Sequence, residues 1–309
     1  MIQASWKSPI TSKLLFQTVF SDLRNRIVYN PTVPGLDQVV SALDTGTGFT
    51  FRSAPGSAGY PRCYCYTQPK INSSLAYVTG SHASKFGVQY EWGGDNVDDF
   101  VVGQSINYTL RNATPISLTT FLGPRNIKDR FRNLGLYAQD QWTIKRLTVN
   151  AGARFDYHHE SIPEQTSGPG RFAPPTTWAA FDDLVSWKDL SPRLGVGYDL
   201  FGTGKTAVKA TLSRYVVVDG VRFAQSNNPL AIGTVNTSAT RGWTDLDGDY
   251  EPDCDLLNPS ANGECGLSSN RNFGTDARIS RPDDAIRAGW GVRPYNWETS
   301  VGVSMFPAG

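Results

Sequence analysis

A long alternating hairpin at residues 134–157 constrains the fold of this chain more than any other stretch. Successive side chains of a strand point to opposite faces, so strict alternation gives each arm one apolar and one polar face. Asp140 is the one exception on the apolar side, and Lys145 and Arg146 separate the arms, which fits a two-residue turn. Each arm has about eleven residues, the length of a tilted strand that crosses a bilayer. The apolar positions are Leu134, Leu136, Ala138, Trp142 and Ile144, then Leu147, Val149, Ala151, Ala153, Phe155 and Tyr157.

The polar face of this hairpin separates a membrane barrel from a soluble sheet. A soluble sheet packs its inward face with apolar side chains, whereas this face carries Asn150, Arg154 and Asp156, which suit a water-filled lumen. Trp142 lies near the turn and Tyr157 near the far end, where the aromatic girdles of membrane barrels are found. The hairpin therefore favours a membrane barrel.

Short turns and long connections alternate along the rest of the chain. Compact soluble domains rarely keep several loops longer than about 15 residues, whereas bacterial outer-membrane barrels have short turns on one side and long loops on the other. The sequence therefore predicts an all-β fold, an antiparallel transmembrane β-barrel with about eleven strand-like segments. The predicted turns lie at 7–12, 79–81, 145–146 and 202–205, and the predicted loops at about 30–69, 93–132, 159–187 and 219–294.

Composition excludes several other classes of protein. The 309 residues contain 29 Lys and Arg against 28 Asp and Glu, so a charge-driven role in binding nucleic acid has no support. Apolar residues make up 39 % of the chain, and no run approaches the ~18 residues of a spanning helix. The first residues, MIQASW, have neither the basic start nor the apolar core of a signal peptide. Since a barrel bound for an outer membrane needs one, we expect a fragment of a longer gene product.

Several segments, taken in order, resemble TonB-dependent outer-membrane receptors, particularly the Oar-like branch. NLGLYAQDQWTIKRLTVNAGARFDYH is similar to their mid-barrel hairpin, and SHASKFGVQYEW to an earlier strand. SPRLGVGYDLFGTGKTAVKATLSRY resembles the hairpin that follows, and RPYNWETSVGV a later strand. The resemblance covers most of the chain. It implies a barrel of ~22 strands around a plug, of which this chain would hold about half the strands and lack the plug, the TonB-contacting segment and the barrel's end.

This resemblance also implies a location and a function. The protein would lie in the outer membrane of a Gram-negative-type bacterium, in contact with lipid. It would take up a scarce small solute, such as a metal chelate, a vitamin, or a glycan or peptide fragment. Energy would come from the TonB complex, which would bind through parts outside this chain. The long loops are expected to hold the specificity, because loops on a rigid scaffold carry function.

Five charged residues are predicted to face the lumen: Arg154, Asp156, Arg193, Asp199 and Lys209. Their parity places them opposite the apolar positions of their strands. They could contact a plug or a solute, or simply form the polar lining of a wet wall. The sequence leaves both readings open.

The third long loop contains the one motif that suggests a metal. Carboxylates at alternate positions around a Gly turn can converge as hard oxygen ligands for calcium; they are Asp245, Asp247, Asp249 and Asp253. Tyr250 stands where an EF-hand loop has its Gly, so the spacing is closer to Asp-rich extracellular calcium modules. A solvated acidic turn is the alternative, and no other cofactor is expected.

The four cysteines suggest one bridge. Cys254 and Cys265 flank a short stretch of the same loop and would close a small ring in an oxidising compartment. Cys63 and Cys65 are separated by one residue, so a bridge between them is expected to be strained. They could instead pair across loops or stay reduced.

No catalytic site is legible, and the chain is not expected to be an enzyme. Gly202, Gly204 and Lys205 suggest a phosphate-binding loop, but Asp199 stands where that motif needs Gly, and a strand follows instead of a helix. The three histidines, His82, His158 and His159, lack the spacing of a zinc site and are expected to be solvated loop residues.

Two alternative functions stay open at this level. The first is a passive pore or a surface adhesin built on a similar barrel. The second is a soluble, secreted β-protein stabilised by calcium, which should fold without detergent.

Overall fold

The computed structural model describes residues 1–28, 35, 38–52, 60–100, 104–231, 237–276 and 282–305. Nine long strands form one antiparallel path, here called the wall, in the order β1-β2-β5-β6-β9-β10-β13-β14-β17. The strands of the wall are β1 (Ile2–Pro9), β2 (Leu14–Ile27), β5 (Tyr60–Thr79), β6 (His82–Phe100), β9 (Arg125–Ile144), β10 (Leu147–Ile162), β13 (Phe181–Asp199), β14 (Thr206–Val216) and β17 (Tyr295–Met305).

Short turns and long connections alternate around the wall, as predicted. The turns at 80–81 and 145–146 contain two residues, and those at 10–13 and 200–205 contain four and six. The first turn follows the predicted 7–12 by a few residues because β1 continues to Pro9, which pairs with Leu15. Lys145 has a φ of 52°, the left-handed conformation that two-residue hairpin turns require. Neighbouring strands run antiparallel, so all four short turns lie at one edge of the wall.

The strands extend further than the sequence indicated. β6 continues to Phe100, β9 begins at Arg125, and β13 begins at Phe181, so the predicted loops at 93–132 and 159–187 are too long at both ends. The loop predicted to reach residue 69 ends where β5 begins, at Tyr60. These outer stretches are polar, but each one completes a ladder of backbone pairs with its neighbour. Parts of the predicted loops, at 29–34, 36–37, 53–59, 101–103, 232–236 and 277–281, lie outside the described residues.

The long connections carry structure of their own. A second sheet has the order β15-β8-β7-β3-β4. Ile106, Leu118 and Trp243 form the centre of its apolar core. The predicted weak strand and the ISLTTFL segment correspond to β7 and β8, although Val102 lies outside the described residues. The further elements are β3 (Ser41–Asp44), β4 (Phe49–Phe51), β7 (Ile106–Arg111), β8 (Thr114–Phe121), β11 (Gln165–Ser167), β12 (Thr176–Trp178), α1 (Arg222–Asn227), β15 (Ser238–Gly242), α2 (Asp284–Arg287) and β16 (Ala288–Trp290).

Neither helix in the described part of the chain is long and apolar enough to cross a membrane.

Asp44 joins two turns of the second sheet. Its carboxylate accepts hydrogen bonds from the backbone N–H groups of Gly46 and Thr47 in its own turn, at 2.8 and 3.2 Å. It also accepts from Asn112 and Ala113 in the β7–β8 turn, at 2.9 and 2.6 Å. These bonds, the one from Ala113 most strongly, lower the pKa of Asp44 below its ordinary value. One buried carboxylate therefore fixes the position of two loops.

The wall is open within the described residues. There, β1 pairs only with β2, and β17 pairs only with β14. β16 adds a short parallel pairing to residues 186–188 of β13, beyond the point where β14 stops pairing with that strand. The wall is therefore a curved segment of an antiparallel barrel and not a closed one.

Candidate functional site: the polar face of the wall

The wall has two faces with opposite chemistry near its short turns. The side that bears Leu136 and Leu194 is called the apolar face, and the side that bears Arg154 and Arg193 the polar face. Cross-strand pairing keeps the two sets apart, since Phe155 lies opposite Leu136 and Leu190, while Arg154 lies opposite Tyr137 and Ser191. The alternation read from the sequence thus continues across several strands.

Four of the five residues predicted to face the lumen lie along the polar face. Arg154 donates to both carboxylate oxygens of Asp156, at 2.8 and 3.0 Å. Gly135 leaves the space for this guanidinium, because a Cβ there would collide with it. Arg193 stacks over the ring of Tyr215 at 5.1 Å, and Lys209 is exposed. Arg154 and Arg193 line one groove of about 510 Å³ together with Lys85.

Asp199, the fifth, shares their parity but lies at the last position of β13, next to the turn. Its carboxylate accepts from the backbone N–H groups of Gly204 at 2.8 Å and Gly202 at 3.0 Å. Asp199 therefore stabilises the turn at the edge of the wall and does not line its middle. The same bonds explain the Gly-Thr-Gly-Lys-Thr stretch, which forms this turn.

The apolar face carries the predicted girdle aromatics. Trp142 stacks on His82, with ring centroids 5.4 Å apart, close to the short turns. Tyr157 lies further along β10, away from the short turn and opposite Leu134. The exceptional Asp140 contacts His82 Nδ1 and accepts from Ser84 Oγ, both at 2.7 Å, so neighbouring polar groups accommodate its charge.

The apolar face becomes polar beyond one level that four neighbouring strands share. Tyr90, Leu134, Tyr157 and Lys188 are direct cross-strand neighbours. Towards the short turns, this face is apolar. Beyond that level, β9 presents Arg132, Arg130, Lys128 and Asn126 at the same parity. We call the part from that level to the short turns the turn-side half of the wall, and the part beyond it the loop-side half.

A family comparison explains this division. Residues 13–290 match the family model of the outer membrane beta barrel domain. The chain belongs to this family of outer-membrane barrels. Its location is therefore the outer membrane, and the soluble secreted alternative is wrong.

The solved structures that the chain matches include two ferric receptors, both at low similarity. The ferric-catecholate import receptor Fiu from K12 E. coli, in its closed form, is 11 % identical with a TM-score of 0.34, over 78 % of this chain and 47 % of that chain. A mutant of the ferric enterobactin receptor PfeA from Pseudomonas aeruginosa is 11 % identical with a TM-score of 0.23, over 79 % and 48 %. The barrel chain thus spans about half the length of these receptors. A comparison with curated proteins found no match.

Membership of the outer-membrane barrels assigns the two faces. The apolar face contacts lipid, and the polar face lines the interior. From Leu134 to Ile144 the turn-side half of β9 has eleven residues, the length that a tilted strand needs to cross a bilayer. Tyr90 and Tyr157 lie level with Leu134, at the end of this membrane-spanning band away from the short turns. Trp142 lies near its other end. The loop-side half therefore extends beyond the membrane.

A segment of the last long connection covers the polar face of the loop-side half. Residues 221–230, here called the strap, contain α1 and pack against β9, β10 and β13. Ala224 is buried against Ile162, Leu184 and Trp187. Leu230 is buried in a second cluster that includes Trp178. Apolar contacts therefore hold the strap at two separate residues.

Polar contacts hold the middle of the strap. The backbone N–H of Ala224 donates to Glu160 Oε2 at 2.6 Å. Gln225 Nε2 donates to Tyr64 Oη at 3.2 Å and to Asp95 Oδ2. Asn228 Nδ2 donates to Asp129 Oδ1 at 2.9 Å. Three acidic residues of three different strands thus bind one short segment.

His158 lies inside this region, which corrects the expectation of a solvated loop residue. It is 1 % exposed and stacks on Trp187 with ring centroids 5.4 Å apart. Its Nε2 lies 2.8 Å from Glu160 Oε1. Burial lowers the pKa of His158 to about 3 and raises the pKa of Glu160 to about 8, so burial favours the neutral form of both groups. His159 lies 3.3 Å from exposed Asp183.

The acidic motif of the third loop folds into a cluster with a member that the sequence did not indicate. Oxygens of Asp245, Asp247 and Glu264 lie within 4.8 Å of one another. Asp249 and Asp253, which were predicted to be ligands, are not part of this cluster. The N–H groups of Leu246 and Asp253 donate to Glu264 and lower its pKa. Pairing of Trp243 with Cys265 places Glu264 beside the acidic turn. Only that pairing, and no local spacing, could have identified it.

Both cysteine pairs are bridged. Cys254 is bonded to Cys265, eleven residues later, and Cys63 to Cys65. The alternatives, pairing across loops or staying reduced, do not occur, because residues two apart in a strand share a face and these two Cα atoms are 5.4 Å apart. The described residues include no free cysteine.

Proposed function

We propose that this chain is part of an outer-membrane receptor that takes up a scarce small solute with energy from the inner membrane. The TonB complex would supply that energy through parts of the protein outside this chain. The ordered resemblance of four segments to TonB-dependent receptors supports the proposal. The proposed function includes no catalytic role for this chain.

The strap is the observation that carries this proposal. It is buried against the polar face just beyond the membrane-spanning band, where a solute would enter from the loop side. A passive pore needs a passage that stays open, whereas this segment is held there by both apolar clusters and hydrogen-bonded carboxylates. A segment held on the inner face of the wall suits a receptor that opens when it is driven.

Uptake in cells tests the proposal directly. Cells that carry the complete gene and cells that lack it are grown in the same medium, and solutes removed from the medium are compared with and without a protonophore. We expect at least one solute to be depleted only by cells with the gene and an intact proton gradient. Depletion that survives the protonophore would instead indicate a passive pore, and no difference in uptake would indicate an adhesin.

The strap allows a sharper version of this experiment. In the variant Gln165→Cys/Asn228→Cys, a short bifunctional thiol-reactive crosslinker should hold the strap against β11 and abolish uptake, because these two side chains are in contact at 2.6 Å. The single variant Asn228→Cys, treated identically, controls for modification of the thiol. Unchanged uptake after complete crosslinking would contradict a role for the strap in opening.

We also propose that the loop cluster binds calcium. Asp245 and Asp247 precede the bridged ring and Glu264 lies within it, and together they offer hard oxygen ligands. The N–H of Asp249 lowers the pKa of Asp247, but desolvation and repulsion by Asp249, Asp253 and Glu264 outweigh it and raise that pKa overall. A divalent cation would relieve this repulsion.

Calcium titration tests this second proposal. Calcium at 100 times its Kd should stabilise the folded loop by about 2.7 kcal/mol, measured as a shift in thermal unfolding, and a chelator should reverse the shift. Glu264→Gln should weaken the response, whereas Glu251→Gln, an exposed neighbour outside the cluster, should not. An identical calcium response in Glu264→Gln would contradict this ligand set.

A further inference from the structure

Two pairs of aspartates face each other across neighbouring strands of the polar face. Asp156 on β10 is the direct partner of Asp189 on β13, and Asp95 on β6 is the direct partner of Asp129 on β9. Like charges directly opposite in a sheet destabilise it. All but Asp156 are at most 2 % exposed, so each pair needs compensation from its surroundings.

The first pair is compensated by arginines. Arg154 binds Asp156 at 2.8 Å, and Arg214 binds Asp189 at 2.9 Å. Each carboxylate therefore has its own guanidinium, which is the usual condition for burying a charge. This pair is a satisfied part of the wall.

The second pair has no cation on its carboxylates within the described residues. Arg130, the nearest guanidinium, donates to the backbone carbonyls of Asp95 and Asp129 and to Asn96, and not to either carboxylate. Burial raises the pKa of both aspartates, that of Asp129 to about 6. Asp95 Oδ1 is buried without a hydrogen-bond partner. The site therefore retains unsatisfied acceptor capacity.

Neutral amides of the strap cover this pair. Gln225 donates one N–H to Asp95, and Asn228 donates one N–H to Asp129 at 2.9 Å. The two amides lie three residues apart on one short segment and contact carboxylates of two different strands. An –NH₂ group presents the same kind of donor as an ammonium or guanidinium group, but without the charge.

We propose that the Asp95–Asp129 pair is a recognition site for an ammonium or guanidinium group of the transported solute, and that Gln225 and Asn228 occupy this site while the strap is closed. The inference rests on the proposed uptake function and names a substrate class, a solute that carries organic cationic groups. Such a solute would displace the two amides and pair with the carboxylates, which gives a reason for the strap to open.

A metal ion fits the pair less well than an organic cation. Calcium takes six to eight oxygen ligands, and the described residues group no third acidic or histidine side chain with these two. Tyr64 adds a hydroxyl that donates to Asp95 at 3.1 Å, so its hydrogen competes with a metal for that oxygen. Charge-assisted N–H donors need only the carboxylates themselves.

Equilibrium binding to the full-length protein in detergent micelles tests the inference without any energy source. The probes are putrescine, which is a dication, 1,4-butanediol as its neutral analogue, and Ca²⁺. We expect putrescine alone to bind in competition with the strap. The variant Gln225→Ala/Asn228→Ala should therefore bind putrescine at least tenfold more tightly than the parent, while Ser226→Ala, on the exposed side of α1, should not change its affinity.

Removal of the carboxylates tests whether putrescine binds at the Asp95–Asp129 pair. Adding Asp129→Asn or Asp95→Asn to the strap variant should weaken putrescine binding at least tenfold. Adding Asp98→Asn instead, on the opposite face of β6 from Asp95, should have no effect. Each single change also relieves repulsion, so the variants should fold, and their circular dichroism verifies it. Equal affinity in parent and strap variant, binding that survives both Asp→Asn changes, or stronger binding of Ca²⁺ than of putrescine at this pair would overturn the inference.

The binding assay separates this inference from the proposed function. Putrescine binding that follows the predicted pattern in a protein that performs no energised uptake would leave the recognition site in place and refute the transport mechanism. Energised uptake by a protein whose Asp95–Asp129 pair ignores putrescine would do the reverse.

Discussion

The same strands carry their apolar side chains on opposite faces in the two halves of the wall. In the turn-side half, apolar side chains such as Leu194, which is 50 % exposed within this chain, point outward to lipid, and charged groups point inward. In the loop-side half, the outward positions are polar, and the inward positions form a protein core. Phe131 and Ile127 of β9 are 1 % and 6 % exposed there. The solvent on each side, and not the strand itself, determines which face is apolar.

The difference extends to how charge is buried. On β10 and β13, near the boundary between the halves, arginines of the wall neutralise the facing aspartates. On β6 and β9, deeper in the loop-side half, neutral donors bind them, namely the strap amides and the hydroxyl of Tyr64, and no cation of the described residues does. A wall that carries its own counter-charges is stable without a partner, whereas one that depends on a separate segment can change when that segment moves. Substitutions in each half of the wall test this difference.

Removing an arginine from the compensated pair should have the largest effect. Arg214→Ala leaves Asp189 buried opposite Asp156 without its guanidinium, and breaking a buried pair in this way costs about 3–5 kcal/mol. Denaturant unfolding in detergent micelles measures the loss. Lys209→Ala, an exposed cation of the same strand without an acidic partner within the described residues, should change stability by less than about 0.5 kcal/mol. Similar losses in both variants would show that Arg214 contributes packing and not charge.

A charge placed on the apolar face should reveal where the lipid ends. Leu194→Arg puts a guanidinium in the middle of the band, which costs about 2–4 kcal/mol in a lipid-embedded barrel. Asp182→Arg, on the same face of β13 but beyond the boundary, should cost little because that position is in water. Folding into lipid vesicles with both variants measures the difference. Equal costs at the two positions would place the boundary elsewhere.

The turn-side half could be predicted from the sequence, and the loop-side half could not. Strict alternation gives a strand one apolar and one polar face. This pattern is local, so positions 134–157 identify the hairpin, its faces and its turn. Residues 125–133 also form a strand, but their apolar partners lie in the strap, about a hundred residues later. No window of sequence shows that contact, so the polar stretch resembles a loop.

The same limit explains the residues that sequence reasoning placed wrongly. His158 follows a strand that had been predicted to end, and its partners Asn133 and Glu160 become neighbours only through the register of β9 and β10. Glu264 reaches the acidic turn through pairing near a disulfide. Asp199 was assigned correctly to its face, but its bonds to the next turn decide its role. In each case parity gives the side of the strand, and tertiary contacts give the function.

The smallest predicted effect is a pH dependence that belongs to the loop-side half alone. The pKa of Asp129 is raised by burial, and also by Asp95 and Glu160, against the hydrogen bond from Asn228 and the charge of Arg130. A carboxyl with a raised folded pKa binds more protons in the folded state, so its contribution to stability is present at low pH and is lost as pH rises through about 6. Between pH 5 and 7.5 the expected loss is about 1.4 kcal/mol.

The variant Asp129→Asn isolates this effect, because Glu160, whose pKa is raised in the same direction, is retained in both proteins. Unfolding of parent and variant is measured at several pH values, and the difference between their slopes belongs to Asp129. Asp98→Asn, an exposed carboxylate of β6, should reproduce the parent slope. If the slopes of parent and Asp129→Asn coincide, the carboxylate is already compensated when the strap is closed, and the distinction drawn between the two aspartate pairs fails.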